Sequence, residues 1–209
     1  TEQTYLVGIC QLVQHVALDA ATQGFSDALK AILGEESVNI DVQNAAGDSA
    51  ACSTIVNSFV SKKVDLIMAN ATAALQAAYN ATAEIPVLGT SITEYGVALG
   101  LNDFNGTVGG NISGTSDLAP LTQQGDMILE LFPQCKTVGL LYCSAEPNSE
   151  YQVRVMEEYL GGKGIATERY SFSDTNDISA VATAAAKASD VIYIPTDNTA
   201  ASCTGTISN

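Results

Sequence analysis

The sequence has few positive charges: 8 Lys and Arg residues stand against 23 Asp and Glu, for a formal net charge of −15. Because this balance would repel a phosphate backbone, we expect no nucleic-acid partner. No apolar run reaches the roughly 18 residues that a membrane-spanning helix needs. No signal peptide is visible before the first apolar segment, so we expect that a targeting segment was removed or never existed.

Motifs of catalysis and cofactor binding are also missing. The sequence contains no glycine-rich phosphate loop, no G-x-S-x-G elbow, no CxxC and no Cys/His spacing typical of a metal site. We therefore predict no cofactor, no metal site and no catalytic residues, and expect a protein that is not an enzyme.

The five cysteines are an odd number, so they cannot all pair within the chain. Cys135 and Cys143 flank one predicted strand, which would hold them about 25 Å apart at roughly 3.3 Å per residue, beyond disulfide reach. We expect buried free thiols, which fit the cytosol or the exterior of a cell that lives without oxygen.

The most informative pattern in the sequence occurs twice. Each copy reads strand, helix, strand, helix, strand, and each third strand runs into a short polar segment. The strands are expected at 5–10, 38–42 and 65–69 in the first copy, and at 138–142, 167–172 and 191–194 in the second. The first copy adds a helix over 72–81 and a fourth strand over 86–89.

This alternation predicts an α/β protein with two similar, doubly wound, mostly parallel lobes that face each other across a ligand cleft. The lobes are expected at 1–112 and 113–209, with a glycine-rich loop and a strand near 111–114 crossing between them. The second copy lacks a fourth strand and leaves room for one helix over 200–209, so this lobe is expected to be incomplete.

Polar residues follow the strands of the first copy where helix N-termini are expected. Asn70, Thr72 and Ala73 follow the third strand, while Thr90 and Ser91 follow the fourth. The first amides of a helix lack intrahelical partners and favour anions, so these positions predict a carboxylate site. An ordinary capped helix is the alternative interpretation for each position alone.

The second copy offers a carboxylate instead. Thr196 and Asp197 follow its third strand, and Asp197 could bind an ammonium group through charge-assisted hydrogen bonds. Asp117 is a second candidate, although a turn or cap role is equally compatible with its position. A carboxylate site on one lobe and an ammonium site on the other predict an α-amino acid as ligand. His15, the single histidine, follows the first strand and is either a surface residue or a ligand contact.

An enzymatic alternative stays open. Two-lobed racemases of acidic amino acids use one cysteine from each lobe, and Cys10 and Cys143 lie near the ends of corresponding strands. The cysteine-bearing motifs of those enzymes are absent here, because Ala69-Asn70-Ala71-Thr72 has no cysteine nearby.

Six segments in order resemble the substrate-binding proteins of tryptophan/tyrosine-type ABC importers, a branch of the type I periplasmic-binding-protein superfamily. They are QHVALDA at 14–20, QNAAGD at 43–48, ANATAALQ at 69–76, NISGTSD at 111–117, NSEYQ at 148–152 and PTDNT at 195–199. Family members continue for several tens of residues beyond the last segment and carry an N-terminal lipidated cysteine that is absent here.

The resemblance implies an extracytoplasmic receptor, periplasmic or lipid-anchored, that closes on an amino acid of aromatic type and delivers it to ABC permease subunits. It implies that Thr72, Thr90 and Ser91 hold the carboxylate and Asp197 the ammonium. The side-chain pocket would be lined by Gln14, His15, Asn148 and Gln152. A ligand-sensing module of a signalling system is a further alternative.

Overall fold

The computed structural model describes residues 4–208, and the chain divides into two compact units, Thr1–Asp117 and Leu118–Asn209. Each unit contains one parallel sheet flanked by helices, which confirms the predicted α/β class. The lobe boundary at residue 112 stays a prediction. Across the described residues, no helix is both long enough and apolar enough to span a bilayer.

The first unit alternates strands and helices from its start. Its elements are β1 Tyr5–Gln11, α1 Val16–Leu33, a 3-10 turn Glu35–Ser37, β2 Val38–Asn44, α2 Ser49–Lys62, β3 Leu66–Asn70, α3 Thr72–Ala81, β4 Val87–Ile92, α4 Tyr95–Leu99 and β5 Ile112–Ser116. The strand order is β2-β1-β3-β4-β5, and every neighbouring pair is parallel. β1 is buried from Val7 to Gln11, as expected for a central strand covered on both faces.

Local signals account for the ends of two helices in this unit. The Asp48 carboxylate accepts the amides of Ala50 and Ala51, so it caps α2. Gly34 closes α1 with φ 92°, a backbone conformation that favours glycine.

The order of the strands creates a switch point in the first sheet. β2 lies on one side of β1 and β3 on the other, so the connections leaving β1 and β3 diverge at their carboxyl ends. In parallel α/β sheets a crevice opens at this place, and ligands bind there.

The second unit repeats the arrangement with three strands. Its elements are α5 Leu121–Leu131, β6 Thr137–Cys143, α6 Pro147–Gly162, β7 Ala166–Phe172, α7 Ile178–Ala188, β8 Val191–Tyr193, α8 Asn198–Ser202 and α9 Thr204–Ser208. The order β7-β6-β8 places a second switch point between β6 and β8.

Alternate residues of β6 pack into two separate cores, because successive side chains of a strand point to opposite faces. Val138, Leu140 and Tyr142 pack in a cluster with α5 and α6 residues such as Met156. Leu141 and Cys143 pack in another cluster with Ile178 and Ala182 of α7. The sheet is thus covered on both faces, as a doubly wound fold requires.

Three connections differ from the sequence-based expectations. The glycine-rich loop expected between the lobes overlaps α4, which the Glu94 carboxylate caps through the amides of Gly96 and Val97. The glycine in this helix is required by packing, since an added Cβ on Gly96 would lie 2.7 Å from the Cβ of Phe104. The strand expected to cross between lobes is β5, which pairs with β4 in the first sheet. The single helix expected at 200–209 is two short helices, and residue 209 lies outside the described residues.

Candidate functional site

The polar end of β3 leads directly into α3. Ala71, the residue between them, has φ 87° and ψ 162°, a region that is nearly exclusive to glycine and costs about 1–3 kcal/mol for other residues. No side chain caps the N-terminus of α3, so the first-turn amides, which begin at Thr72 and Ala73, have no side-chain acceptor. This terminus has the geometry of an anion site.

The end of β4 is tied to the same place. The Ala71 amide donates to the carbonyl oxygen of Thr90 at 3.0 Å. Ser91 has φ 56°, and the register of β4 against β5 shifts between Gly89 and Ile92. The end of β4 therefore lies beside the start of α3, and strained backbone at two neighbouring strand ends is typical of functional sites. The role of Thr72, Thr90 and Ser91 in binding a carboxylate stays a prediction.

Asp117 lies at the far edge of this sheet, after β5, where its amide donates to the Ile92 carbonyl oxygen at 3.0 Å. Desolvation raises the pKa of the Asp117 carboxyl group, and a hydrogen bond with the Thr93 side chain partly offsets this effect. β4 lies between Asp117 and the end of β3, where α3 begins. Asp117 is therefore next to Thr93 and not next to the N-terminus of α3.

A directed hydrogen-bond chain runs beneath the end of β1, and sequence analysis did not identify it. Asn70 Nδ2 donates to the Leu18 carbonyl oxygen at 2.9 Å and to Thr22 Oγ1 at 3.0 Å. Thr22 Oγ1 donates to Gln11 Oε1 at 2.6 Å, and Gln11 Nε2 donates to Asp19 Oδ1 at 2.7 Å. These hydrogen bonds fix α1 against β1 and β3, and they leave the buried Asn70 Oδ1 without a protein partner.

Gln14 and His15 lie at the start of α1. Gln14 contributes to a polar pocket of about 310 Å³ in the first unit, together with Asp19, Thr22 and Gln23. His15 immediately precedes α1, and its carbonyl oxygen accepts the Asp19 amide at 2.9 Å. Both residues are near the end of β1, which is the position that the sequence predicts.

The second switch point holds two buried carboxylates. Asp197 is 3% exposed; its Oδ2 accepts the Cys143 amide at 2.7 Å and its Oδ1 accepts the Ala200 amide at 2.8 Å. Asp197 therefore caps α8 and ties the end of β8 to the end of β6. Desolvation, followed by the charge of Glu146, raises the pKa of Asp197 to about 6.

Glu146 was not identified from the sequence. Its Oε1 accepts from the backbone amide and the hydroxyl of Thr199 at 2.8 and 2.7 Å. Its Oε2 accepts from the amide and Nδ2 of Asn198 at 3.1 and 2.8 Å and from Asn148 Nδ2 at 3.1 Å. A buried carboxylate with this many donors organises the loop between β8 and α8.

Asn148 and Gln152 hold the backbone of Thr196. Gln152 Nε2 donates to the Thr196 carbonyl oxygen at 3.0 Å, while the Thr196 amide donates to Gln152 Oε1 at 3.1 Å. Asn148 Nδ2 donates to the same carbonyl oxygen at 3.2 Å, and Asn148 Oδ1 is buried without a protein partner. Three of the predicted residues, Asn148, Gln152 and Thr196, therefore form one hydrogen-bonded group, and Asp197 follows Thr196 in the sequence. Their contacts with a ligand stay a prediction.

Neither cysteine of the enzymatic alternative is presented to solvent. Cys10 is 0% exposed in the core of the first unit, and Cys143 is 1% exposed in the second. Desolvation raises the pKa of Cys143, so its nucleophilic thiolate is disfavoured. Within residues 4–208, no group of three or more His, Cys, Asp or Glu side chains could hold a metal ion.

Parallel α/β units with polar switch points occur in several classes of ligand-binding protein, and two-lobed periplasmic binding proteins are one of them. A family profile described as "ABC transporter substrate binding protein" matches residues 6–209, and the chain belongs to this family. A curated relative, "Tyrosine-binding protein" of Clostridioides difficile, is 37% identical over 194 residues, which are 92% of this chain and 56% of the relative.

Two solved structures agree with this assignment. An ABC domain from Streptococcus pneumonia in complex with L-Trp has a TM-score of 0.91 and 35% identity, covering 98% of this chain and 70% of that chain. A conserved domain protein from Vibrio cholerae has a TM-score of 0.92 and 32% identity, with the same coverage. The chain thus spans a little over half the length of the curated relative and 70% of these structures. Members of the family are substrate-binding proteins, so the comparisons favour a receptor over the racemase.

Proposed function

We propose that the protein is the extracytoplasmic receptor of an ABC importer and that it binds an aromatic α-amino acid. The ligand carboxylate lies at the N-terminus of α3, and the ligand ammonium lies against Asp197. The observation that carries this proposal is the opposite chemistry of the two switch points: an uncapped helix N-terminus in one unit and a buried pair of carboxylates in the other.

The first switch point supports an anion. The amides of Thr72 and Ala73 begin a helix of 10 residues whose dipole adds positive potential at this end. Thr90 and Ser91 stand on the neighbouring strand, where their polar groups supply further hydrogen bonds to a carboxylate. The strained backbone of Ala71 holds these donors in place before the ligand arrives, which lowers the ordering cost of binding.

The second switch point supports a cation. Asp197 and Glu146 are both buried, and their mutual repulsion, added to desolvation, disfavours a second negative charge. An ammonium group would relieve both penalties, since it supplies the opposite charge and further hydrogen bonds. Asp117 belongs to the unit that holds the anion site, so we assign the ammonium to Asp197.

The remaining predicted residues take supporting roles in this proposal. Gln14 and His15 form part of the pocket that receives the ligand side chain. Asn148 and Gln152 shape this pocket indirectly, because both hydrogen-bond to the backbone of Thr196. An aromatic side chain is proposed because one relative is named a tyrosine-binding protein and a solved neighbour contains L-Trp.

The partners follow from the family. We propose that the ligand-bound receptor docks on ABC permease subunits and that a lipid anchor attaches it to the membrane. Closure would be driven by the difference in ligand affinity between closed and open states, and no covalent chemistry is involved.

Isothermal titration calorimetry with ligands that lack one charged end tests the proposal. L-tyrosine or L-tryptophan should bind with Kd on the order of 1 µM or tighter. Tyramine, which lacks the carboxylate, and 3-(4-hydroxyphenyl)propanoate, which lacks the ammonium, should each bind about 100-fold more weakly, because each leaves one site unpaired. L-leucine is the control for the side chain. Failure of every aromatic amino acid to bind, or equal affinity for tyrosine and tyramine, would contradict the proposal.

A further inference from the structure

Two cysteines of the first unit lie in the same core. Cys10 is the sixth residue of β1, and Cys52 is the fourth residue of α2. Both are 0% exposed, and both belong to the cluster of buried residues that surrounds the first sheet. Neither takes part in the ligand site proposed above.

The packing of α2 on β1 brings these two positions together. A Cβ added to Gly8 would lie 2.6 Å from ring carbons of Phe59, so α2 lies directly on this face of β1. Cys10 shares the face of Gly8, because strand side chains alternate, and lies about 6.7 Å further along the strand. Cys52 precedes Phe59 by seven residues, which is about two helical turns and therefore the same side of α2. α2 connects β2 to β3, which are both parallel to β1, so it runs antiparallel to β1. Going back from Phe59 along α2 therefore leads towards the carboxyl end of β1, which places Cys52 over Cys10.

The titration behaviour of the two thiols agrees with this juxtaposition. Hydrogen bonding between the two thiol groups raises the pKa of Cys10, with a further contribution from burial. The same interaction lowers the pKa of Cys52, against the opposing effects of burial and the Asp48 charge. Of the two thiols, Cys52 therefore has the lower pKa.

The remaining cysteines provide an internal comparison. Cys135 is in a cluster of the second unit that contains no other cysteine. Cys143 and Cys203 share the other cluster, but the Cys143 thiol donates to the Ser173 carbonyl oxygen at 3.6 Å, and its pKa shift involves Thr199 and not Cys203. Among the described residues, Cys10 and Cys52 are the only two cysteines that shift each other's pKa.

We infer that Cys10 and Cys52 are an oxidisable dithiol that a peroxide converts to an intramolecular disulfide, linking β1 to α2. In this reaction the Cys52 thiolate attacks one peroxide oxygen, the O–O bond breaks, and the product is a sulfenic acid with release of water or the corresponding alcohol. The Cys10 sulfur then displaces the hydroxyl group, forms the S–S bond, loses its proton and releases water. Two electrons pass from the two sulfurs to the peroxide.

This site has a consequence for the ligand-binding edge of the unit. The residue after Cys10 is Gln11, whose carbonyl oxygen accepts the Ala45 amide at 2.9 Å, and the following loop leads to the Asp48 cap of α2. A link between Cys10 and Cys52 would therefore fix β1, this loop and α2 as one body. It would also restrict the unfolded chain, so the oxidised first unit should melt at a higher temperature than the reduced one.

Peptide mapping of the native protein tests the inference, because every cysteine lies on a separate tryptic peptide. Cys10 is in peptide 1–30 and Cys52 in 31–62, while Cys135, Cys143 and Cys203 are in 64–136, 137–154 and 188–209. The folded protein is treated with hydrogen peroxide, unfolded, alkylated with N-ethylmaleimide, digested and analysed by mass spectrometry. We expect peptides 1–30 and 31–62 to appear as one cross-linked species that lacks two hydrogen atoms relative to their sum.

Two variants define the specificity of the link. Cys203→Ser should leave it intact, whereas Cys52→Ser should abolish it and leave Cys10 open to alkylation after unfolding. Alkylation of both Cys10 and Cys52 in the peroxide-treated wild-type protein would overturn the inference. A link between 137–154 and 188–209 with Cys10 still reduced, or a link from Cys10 that forms only when guanidinium is present during oxidation, would also overturn it.

Discussion

The two switch points have the same topology and opposite chemistry. In each unit a backbone amide at the end of one strand donates a hydrogen bond to the segment that ends or follows a neighbouring strand. In the first unit Leu12 N, after β1, donates to the carbonyl oxygen of Asn70 at the end of β3. In the second unit Cys143 N, at the end of β6, donates to the carboxylate of Asp197, which follows β8. The first site contains neutral amides and hydroxyls around an uncapped α3. The second contains Asp197 and Glu146, which use the amides of α8 internally. One scaffold can therefore present donors in one unit and acceptors in the other, which suits a zwitterion.

The largest expected difference between the units is in the pH dependence of their stability. The pKa of Asp197 is raised from 3.8 to about 6, so the folded unit binds a proton more tightly than the unfolded chain. The stabilisation by protonation is fully present below pH 3.8 and is lost as pH rises to about 6, in total about 3 kcal/mol. Denaturation curves between pH 4 and pH 7 should show this loss in the wild type and not in Asp197→Asn. A pH dependence that is equal in both proteins would contradict the assignment.

Substitution of Glu146 should have the next largest effect. In Glu146→Gln one oxygen becomes an NH2 group that faces the amides of Asn198 or Thr199, so buried donors lose their acceptor. We expect a loss of about 2.5 kcal/mol in the free energy of unfolding, measured by urea titration with circular dichroism. The control, Glu158→Gln on an exposed surface of α6, should change it by less than about 0.5 kcal/mol. The pKa of Asp197 should fall in the Glu146→Gln variant, because a repelling charge is removed.

In the first unit the corresponding test removes the hydrogen bonds of Asn70. Asn70→Ala deletes the donor to Leu18 and Thr22, and we expect a loss of about 2 kcal/mol by the same titration. Unlike Glu146→Gln, this change should depend little on pH between 4 and 7, because Asn70 and its direct partners Leu18 and Thr22 do not ionise in this range. Asn39→Ala, at an exposed position of β2, is the matched control and should be nearly neutral. A pronounced pH dependence of the Asn70→Ala effect would contradict this expectation.

The smallest expected effect concerns the strain at Ala71. Glycine tolerates φ 87°, so Ala71→Gly should stabilise the folded protein by about 1 kcal/mol despite the loss of a buried methyl group. Ala73→Gly, two residues later and inside α3, should have the opposite sign and destabilise it by about 1 kcal/mol. The melting temperatures of the two variants, compared with the wild type, test this expectation. A lower melting temperature for both variants would mean that Ala71 is not strained.

Local sequence signals were sufficient for much of the fold. The helix predicted over 72–81 is α3 with the same bounds, since the polar segment after β3 marks its start and its small apolar residues pack internally. α4 was missed, because Gly96 and Gly100 suggest a loop and only the packing of Phe104 explains a glycine inside a helix.

The chemistry of the second switch point was less predictable. Glu146 precedes Pro147 and looks like an ordinary surface acid, but its partners Asn198 and Thr199 lie more than 50 residues away. Gln152 was predicted to line a pocket, and its hydrogen bonds to Thr196 span 44 residues. Such contacts depend on which strands become neighbours, and a single sequence specifies this only through the whole topology.

The direct test of the opposite chemistry of the two sites combines Asp197→Asn with removal of the ligand ammonium. Calorimetry should show that the substitution weakens L-tyrosine binding about 100-fold, because an ion pair in a buried site is lost. It should leave the affinity for 3-(4-hydroxyphenyl)propanoate nearly unchanged, because this ligand has no ammonium to lose. An equal loss of affinity for both ligands, or no loss for tyrosine, would contradict the account in which Asp197 binds the positive end of the amino acid.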